Sequence, residues 1–364
     1  MKITRQARIY PTKRQRRLID KMLECHRLLY NTVLEDSEYF YSQTKKQKGG
    51  FALIREWVPF FKKEERFDIC NYSSLQRTIR RFVKSRSAMI KKRILKQKSK
   101  LRFKTAERFN SIEYTFGNGI AILNNKIKIQ HLGEIKTVWN RTPTNPSNAI
   151  LTRKGNIYFV SFCEDCAFDK SLLTGNIAVG IDFGVKTLAT FSNGETIESP
   201  KFAKKSKKEI AKIHRRIHKT QKGSKARDKH KRTLTKAHYK IANRRKDFNH
   251  KATRKLVNKY DIICAEDLEI MKIRSDFTPI NFAIFDLGIA QFKEFLAYKA
   301  ENAGKRVIWV NPAYTTQTCS SCGVLVPKTL KERIHVCACG YEDNRDINAA
   351  KNILTAGLRS LAKA

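Results

Sequence analysis

The apolar positions of this chain change period several times, and each change predicts an element boundary. Over residues 1–10, Ile3, Arg5, Ala7 and Ile9 alternate with Lys2, Thr4, Gln6 and Arg8, the period-2 pattern of a strand, which Pro11 ends. From about 12 to 105 the spacing turns helical: Leu18, Met22 and Leu23, then Leu28, Leu29 and Val33, later Leu75, Ile79, Phe82 and Val83. Few breakers interrupt it beyond Gly49-Gly50 and Pro59. Residues 111–168 return to strand grammar. Ile112–Phe116, Ile120–Leu123 and Lys126–Ile129 are separated by Gly117-Asn118-Gly119 and Asn124-Asn125, which predicts successive hairpins, and Ile157–Phe162 follows a turn at Lys154-Gly155-Asn156. A small antiparallel barrel, joined by strand 1–10 across a helical insertion, fits this order.

Further on, the apolar runs carry acids. Ile177-Ala-Val-Gly-Ile-Asp182-Phe-Gly184 is a continuous apolar strand that ends in an aspartate, turns through glycine and enters a second strand reaching Phe191. Tyr260-Asp-Ile-Ile-Cys-Ala-Glu266-Asp-Leu268 repeats the pattern with a glutamate, and Asn344-Arg-Asp346-Ile-Asn-Ala-Ala-Lys-Asn-Ile-Leu354 starts like a capped helix. A buried strand excludes an unpaired charge, so an acid at its end reads as a metal ligand. Taken singly, Asp182 could be a turn aspartate and Asp346 a helix cap. Together, strand Asp, strand Glu and helix Asp with crossovers between them are the parts of a ribonuclease H-like fold. Such carboxylates can clamp two magnesium (or manganese) ions roughly 3.5–4 Å apart for phosphodiester hydrolysis. Asp267 and Asp343 are neighbours that could take the same roles.

Charge sharpens the picture. The 364 residues hold 75 Lys+Arg against 33 Asp+Glu, a net +42, which in a compact chain calls for a polyanionic partner. With 41% hydrophobic residues, disorder is excluded as the explanation. Thirteen Lys/Arg and no acid lie between Ser74 and Thr105, and residues 201–260 hold 24 Lys/Arg against three acids. Candidate phosphate contacts are Arg77, Arg80, Arg81, Lys84, Lys92 and Arg93 in the first stretch, and Arg215, Arg216, Arg244 and Arg245 in the second. His214 and His218 imitate a metal pair but lack a companion acid, and they too read as phosphate contacts. No signal-peptide pattern or run of about 18 apolar residues appears, so a cytoplasmic protein, in the prokaryotic cytosol or nucleoid and without a membrane partner, is expected.

Nine cysteines, an odd number, argue for metal binding over disulfides. Cys319-Ser-Ser-Cys322-Gly323 and, after fourteen residues counted from Cys322, Cys337-Ala-Cys339-Gly340 describe a zinc ribbon with four thiolates. Cys163-Glu-Asp-Cys166 has the spacing of a metal pair but no second pair nearby.

Over 177–355 the chain resembles the TnpB family, RNA-guided nucleases of bacterial insertion sequences related to type V CRISPR effectors. The likeness rests on Gly-Ile-Asp182-Phe-Gly, Ala-Glu266-Asp-Leu, Gln317-Thr-Cys-Ser-Ser-Cys-Gly323 and Asn-Arg-Asp346-Ile-Asn-Ala-Ala-Lys-Asn. The resemblance implies a RuvC-like α/β nuclease core at 173–311 and 343–364, containing the basic helical segment 201–260 and split by a zinc ribbon at 312–342. It also implies a wedge β-barrel at 1–10 and 111–172 interrupted by a helical recognition lobe at 11–110, giving an α+β multidomain chain. Asp182, Glu266 and Asp346 would be catalytic and hold magnesium; Cys319, Cys322, Cys337 and Cys339 would hold zinc. A guide RNA and a target DNA cut beside a short motif are the implied partners, for a monomer or homodimer. The family's second knuckle is usually Cys-x-x-Cys, whereas this chain has Cys337-x-Cys339, so the knuckle is either strained or completed by His335. A strand-joining transposase, a non-catalytic DNA-binding regulator and a stand-alone CRISPR-like effector remain the alternatives.

Overall fold

A computed structural model describes residues 2–139, 141–165, 177–184, 187–268, 286–329 and 332–362. Cys166 lies outside the described residues. The chain divides into two compact units, Met1–Ala167 and Phe168–Ala364.

In the first unit, β1 (Lys2–Tyr10) is followed by three helices, α1 (Lys13–Thr44), α2 (Gly50–Lys62) and α3 (Tyr72–Ile94). Six strands follow: β2 (Ser111–Thr115), β3 (Ile120–Leu123), β4 (Lys126–Ile129), β5 (Gly133–Val138), β6 (Pro146–Lys154) and β7 (Ile157–Asp165). Pro11 cannot continue the β1 ladder, and Thr12 starts α1 through a reciprocal cap: its hydroxyl accepts the Gln15 N–H at 3.2 Å, and the Gln15 amide oxygen accepts the Thr12 N–H at 2.9 Å. Asn71 caps α3 in the same way by accepting the Ser74 N–H at 3.1 Å.

The seven strands form one antiparallel sheet in the order β2-β6-β7-β1-β5-β4-β3, so β1 runs through its middle, paired with both β7 and β5. β3/β4 is a hairpin as the Asn124-Asn125 turn predicts, and β4/β5 is another, through Gln130-His131-Leu132. β2 departs from that reading: it pairs with β6, and Gly117-Asn118-Gly119 makes only an isolated bridge, Thr115 to Asn118. Gly117 and Gly119 both sit at positive φ, so this segment turns the chain to the far end of the sheet, and the sheet nearly closes on itself. Leu29, Val33, Leu75 and Phe82 from the helices share one core with Ile112, Tyr114, Ile127 and Phe162 from the strands. Burying each such side chain contributes roughly 1.5–3 kcal/mol.

The second unit is built on a mixed five-stranded sheet in the order β10-β9-β8-β11-β12, with β8 (Ala178–Phe183), β9 (Thr187–Phe191), β10 (Thr196–Glu198), β11 (Ile262–Glu266) and β12 (Arg306–Val310). β8, β9 and β10 are antiparallel neighbours, whereas β11 runs parallel to both β8 and β12. From Val179 to Phe183 every residue of β8 is buried, which is why its sequence is apolar without alternation. The basic segment forms two helices, α4 (Phe202–His218) and α5 (Lys225–Lys259). Their packed stripe is Ile213, Ile217, Ile241 and Leu256. The buried Asp286 carboxylate accepts the N–H groups of Ala203 and Lys204 at 2.8–3.0 Å, which fixes the start of α4. After α6 (Ile289–Asn302) come the short pair β13 (Ile334–Val336) and β14 (Glu342–Asn344), and then α7 (Arg345–Ala362). Among the described residues no helix is long and apolar enough to cross a membrane.

Candidate active site

Asp182 is the fifth residue of β8 and Glu266 the last of the neighbouring parallel strand β11, so the ladder that pairs Ile181 with Ala265 delivers both acids to one end of the sheet. Each is less than a tenth exposed. Asp346 arrives from a different element, in the first turn of α7. Helix α7 lies flat on β8 because Gly180 has no side chain: a Cβ there would sit 1.9 Å from the Ala350 carbonyl oxygen and 2.9 Å from Leu354. Further along, Gly357 approaches Cys264 of β11 in the same way. Two glycines, one on β8 facing α7 and one on α7 facing β11, thus set the height of α7 above the sheet, and with it the position of Asp346.

The electrostatics record the convergence. Burial, followed by the charges of Glu266 and Asp346, holds the Asp182 carboxyl well above the ordinary aspartate range. Burial likewise pushes Glu266 up to about 7, although it accepts hydrogen bonds from the Asp182 side chain and the Phe183 N–H and feels the Lys293 charge. Both acids are thus pushed towards the protonated form, as expected of carboxylates packed close together in a largely buried corner. Asp346 is gripped by Arg345, whose Nε and Nη2 donate to one oxygen at 3.2 and 3.1 Å. The alternative acids are used elsewhere. Asp343 binds the Lys351 ammonium and the Tyr341 hydroxyl, both at 2.7 Å, and Asp267 pairs with Lys293 at 2.6 Å.

The four ribbon cysteines meet. All their sulfurs lie within 4.8 Å of one another, with Cys319–Cys339 at 3.8 Å and Cys322–Cys337 at 3.6 Å. A tetrahedral zinc with Zn–S of about 2.3 Å requires S–S edges of about 3.8 Å, so the donor set fits that ion, and the short Cys337-x-Cys339 knuckle still brings both of its sulfurs into the cluster. His335 is fully buried beside the sulfurs and is not needed to complete four ligands. Burial would raise the Cys319 thiol, but the N–H groups of Cys322 and Ser321, aided by His335, bring it down to about 6, as a thiolate ligand requires. Cys322→Ser should remove the bound zinc, about one per chain by metal analysis, and lower the melting temperature. Unchanged zinc content would overturn the assignment.

Two residues that the sequence reading passed over tie the ribbon to α7. Asn348, fully buried, accepts the Ser320 N–H at 2.9 Å and donates to the Thr318 carbonyl at 2.8 Å. One turn on, Asn352 donates to the carbonyls of Thr315 and Thr318 at 2.9 and 2.6 Å. Asparagines at i and i+4 beside a helix-start acid were the available signal: uncharged amides on a face that must bond to backbone.

The predicted phosphate contacts divide. Arg80, Lys84, Lys92, Arg93, Arg215, Arg216 and Arg244 are exposed. Three others turn inward. Arg77 binds Glu113 at 3.1 Å and the Thr115 hydroxyl, Arg81 donates to the Ser111 carbonyl and hydroxyl at 3.0 Å, and Arg245 lies 3.8 Å from Asp286. Packing against β2 explains the first two, and the α4 anchor the third. His214 and His218 are both exposed and belong to no metal-capable cluster among the described residues.

The chain is similar to known proteins in sequence and in fold. The family model described as "Probable transposase" matches residues 163–275, one described as "Cas12f1-like, TNB domain" matches 290–353, and one described as "Helix-turn-helix domain" matches 1–46, here a strand and one long helix. A Streptomyces pristinaespiralis protein named "Putative RNA-guided DNA endonuclease" is 30% identical over 98% of this chain and 89% of its own length. "TnpB-like protein L79" of Acanthamoeba polyphaga mimivirus is 35% identical over 50% of this chain and 37% of its own. The solved structure of a mini-RNA-guided endonuclease, CRISPR-Cas phi3, aligns with a TM-score of 0.51 at 10% identity over 98% of this chain and 92% of that one, a likeness of fold. By sequence over nearly its whole length, this chain belongs to the TnpB family.

Proposed function

We propose that the protein is an RNA-guided DNA endonuclease of an insertion sequence, with Asp182, Glu266 and Asp346 as its catalytic carboxylates on a RuvC-like core. The observation that carries this is the convergence of Asp182 and Glu266 at one end of two paired parallel strands, with Asp346 set against them by α7. Three convergent carboxyls in a largely buried corner, one of them raised to about 7, fit hard divalent cations such as magnesium. Bound there, such ions supply an activated water and neutralise the leaving oxygen of a phosphodiester. The chain's own part is to fix the carboxylates on rigid elements, with Arg345 orienting Asp346 and the Phe183 N–H orienting Glu266. The exposed cations of α3, α4 and α5 would hold the nucleic acid by its phosphates, leaving sequence to base pairing with a guide. On this reading the first unit comprises the wedge barrel and recognition lobe, and the zinc ribbon interrupts the nuclease core.

The test is purification from cells that carry the native locus. A discrete RNA should copurify, and that complex should cut DNA complementary to the RNA only when a divalent cation is added. Protein free of RNA, or cutting indifferent to the RNA's sequence, would overturn the reading.

A pH dependence follows. Cations compete with the protons that raised carboxyls hold, so Mn²⁺ affinity should rise with pH, by up to about tenfold per pH unit for each proton displaced, below the Glu266 value of about 7. Equal affinity at pH 6 and pH 8, measured by titration calorimetry, would mean the acids are not the ligands.

A further inference from the structure

A cavity of about 210 Å³, room for roughly seven waters at ~30 Å³ each, opens in the first unit between α3 and the segment that follows it. Arg81, Lys104 and Arg108 line it together with Tyr30, Phe109 and Ser111. Two of the Arg81 donors are used on Ser111, which leaves three of its five N–H groups without a hydrogen bond to that residue. Glu113, the carboxylate that acts on Arg81, is already engaged by Arg77 at 3.1 Å and Asn148 at 3.3 Å. Burial disfavours the Arg81 charge, and that charge in turn helps keep the fully buried His26 neutral.

The other two cations have no carboxylate partner among the described residues. Lys104 is nonetheless held in place. Its N–H donates to Asn31 at 2.8 Å, and its carbonyl accepts from Asn31 at 3.1 Å and Arg27 at 3.2 Å. Its ammonium lies 5.8 Å from the Tyr30 ring centre, and Tyr30 packs on Phe109 at 6.1 Å. An aromatic wall thus stands beside Lys104 and Arg108, which no carboxylate among the described residues neutralises, and beside Arg81, whose nearby Glu113 is bound to Arg77 and Asn148. Arg108 is exposed, but Arg81 and Lys104 are partly buried, and partly desolvated cations around one cavity are costly unless an anion completes them.

We propose that this cavity is a phosphate-binding pocket, taking one phosphate of a nucleic-acid strand against Arg81, Lys104 and Arg108. A free phosphate would satisfy the same chemistry, and the experiment separates the two sources. It requires no cleavage, so the outcome is independent of the nuclease reading.

Because Arg81 is part of the packing, the variants are made at the other two cations: Lys104→Gln with Arg108→Gln. Lys13→Gln with Arg17→Gln removes equal charge from the exposed face of α1 as a control. Binding of a short single-stranded oligonucleotide to the full chain without divalent metal should weaken about tenfold or more in the pocket variant and threefold or less in the control. The slope of log affinity on log salt should fall by about 1–2. In parallel, inorganic phosphate is titrated in thermal melts. If it stabilises the parent chain and not the pocket variant while oligonucleotide affinity stays unchanged, the pocket serves free phosphate. Equal oligonucleotide losses in both variants, with no phosphate-dependent difference in melting, would overturn the proposal.

Discussion

Asp182→Asn should cut cleavage by about a thousandfold or more while leaving nucleic-acid binding within about threefold, and the metal-free variant should melt above the parent at pH 8. The first effect follows from removing a negative ligand from a site whose function is to hold cations: about 4 kcal/mol of lost transition-state stabilisation is a factor of a thousand. Binding survives because the exposed cations on α3, α4 and α5 are untouched. The stability effect has the opposite sign to most core substitutions, and linkage gives the reason. Glu266 is raised from its usual 4.5 to about 7 and Asp182 is raised well above its own ordinary value, so between roughly pH 4.5 and 7 the folded state holds more protons than the unfolded one. Stability contributed by these groups therefore falls as pH rises through that window, and by pH 8 the folded chain carries the cost of the buried Glu266 charge beside Asp182. Asparagine removes one of the charges and offers Glu266 an N–H donor. A gain of about 1 kcal/mol would appear as roughly 2–4 °C in a unit of this size. Loss of cutting with equal loss of binding, or a lowered melting temperature, would show that Asp182 is a structural residue.

The stability arm also separates this site from an ordinary buried ion pair. Lys305–Asp261, at 3.2 Å and nearly as buried, has its countercharge within the protein, so removing Asp261 leaves an uncompensated lysine and must destabilise. Asp182 and Glu266 have the reverse problem: too much charge of one sign, tolerated because an ion from outside is expected to relieve it.

What the sequence made legible follows from chemistry that is local in the chain. An acid closing a continuous apolar strand is conspicuous because buried strands exclude charge, and paired cysteines at short spacing have few other uses. The cation runs were equally visible, but not which way each side chain turned: Arg77 and Arg81 lie on the face of α3 that meets β2, and only the pairing of β2 with β6 puts Glu113, Thr115 and Ser111 beneath them. The β2–β6 pairing was itself hidden, since a Gly-Asn-Gly turn between two apolar runs predicts a hairpin locally, and the competing partner lies some thirty residues on. The zinc knuckle illustrates the same limit. Spacing alone left open whether Cys337-x-Cys339 could complete a four-sulfur set, and only the relative placement of the two knuckles, fixed partly by Asn348 and Asn352, closes it.

Gly180 carries the second large effect, and its role was not visible in the sequence, where it reads as one more residue of an apolar strand. Gly180→Ala should destabilise the second unit by about 1–3 kcal/mol and lower cleavage at least a hundredfold, even though the residue bears no functional group. The added Cβ would fall 1.9 Å from a backbone oxygen of α7, an atom that cannot rotate away, so the helix as a whole must rise from the sheet. Asp346 sits in the first turn of that helix and would move with it, while Asp182 and Glu266, on the strands below, would stay. The acids would then no longer converge: the charge of Asp346 would weaken at Asp182, and a cation could not be held by all three. Gly357→Ala, which meets Cys264 at the far end of the same helix, is the informative comparison. It too should cost stability, because the added Cβ would fall 2.3 Å from the Cys264 sulfur, but less activity, since the helix would tilt about its clamped start where Asn348 and Asn352 hold the ribbon. Melting temperature and single-turnover cleavage measured on both variants test this directly. Equal losses of activity at matched losses of stability would mean that α7 contributes only to folding and that Asp346 need not be placed against the strand acids.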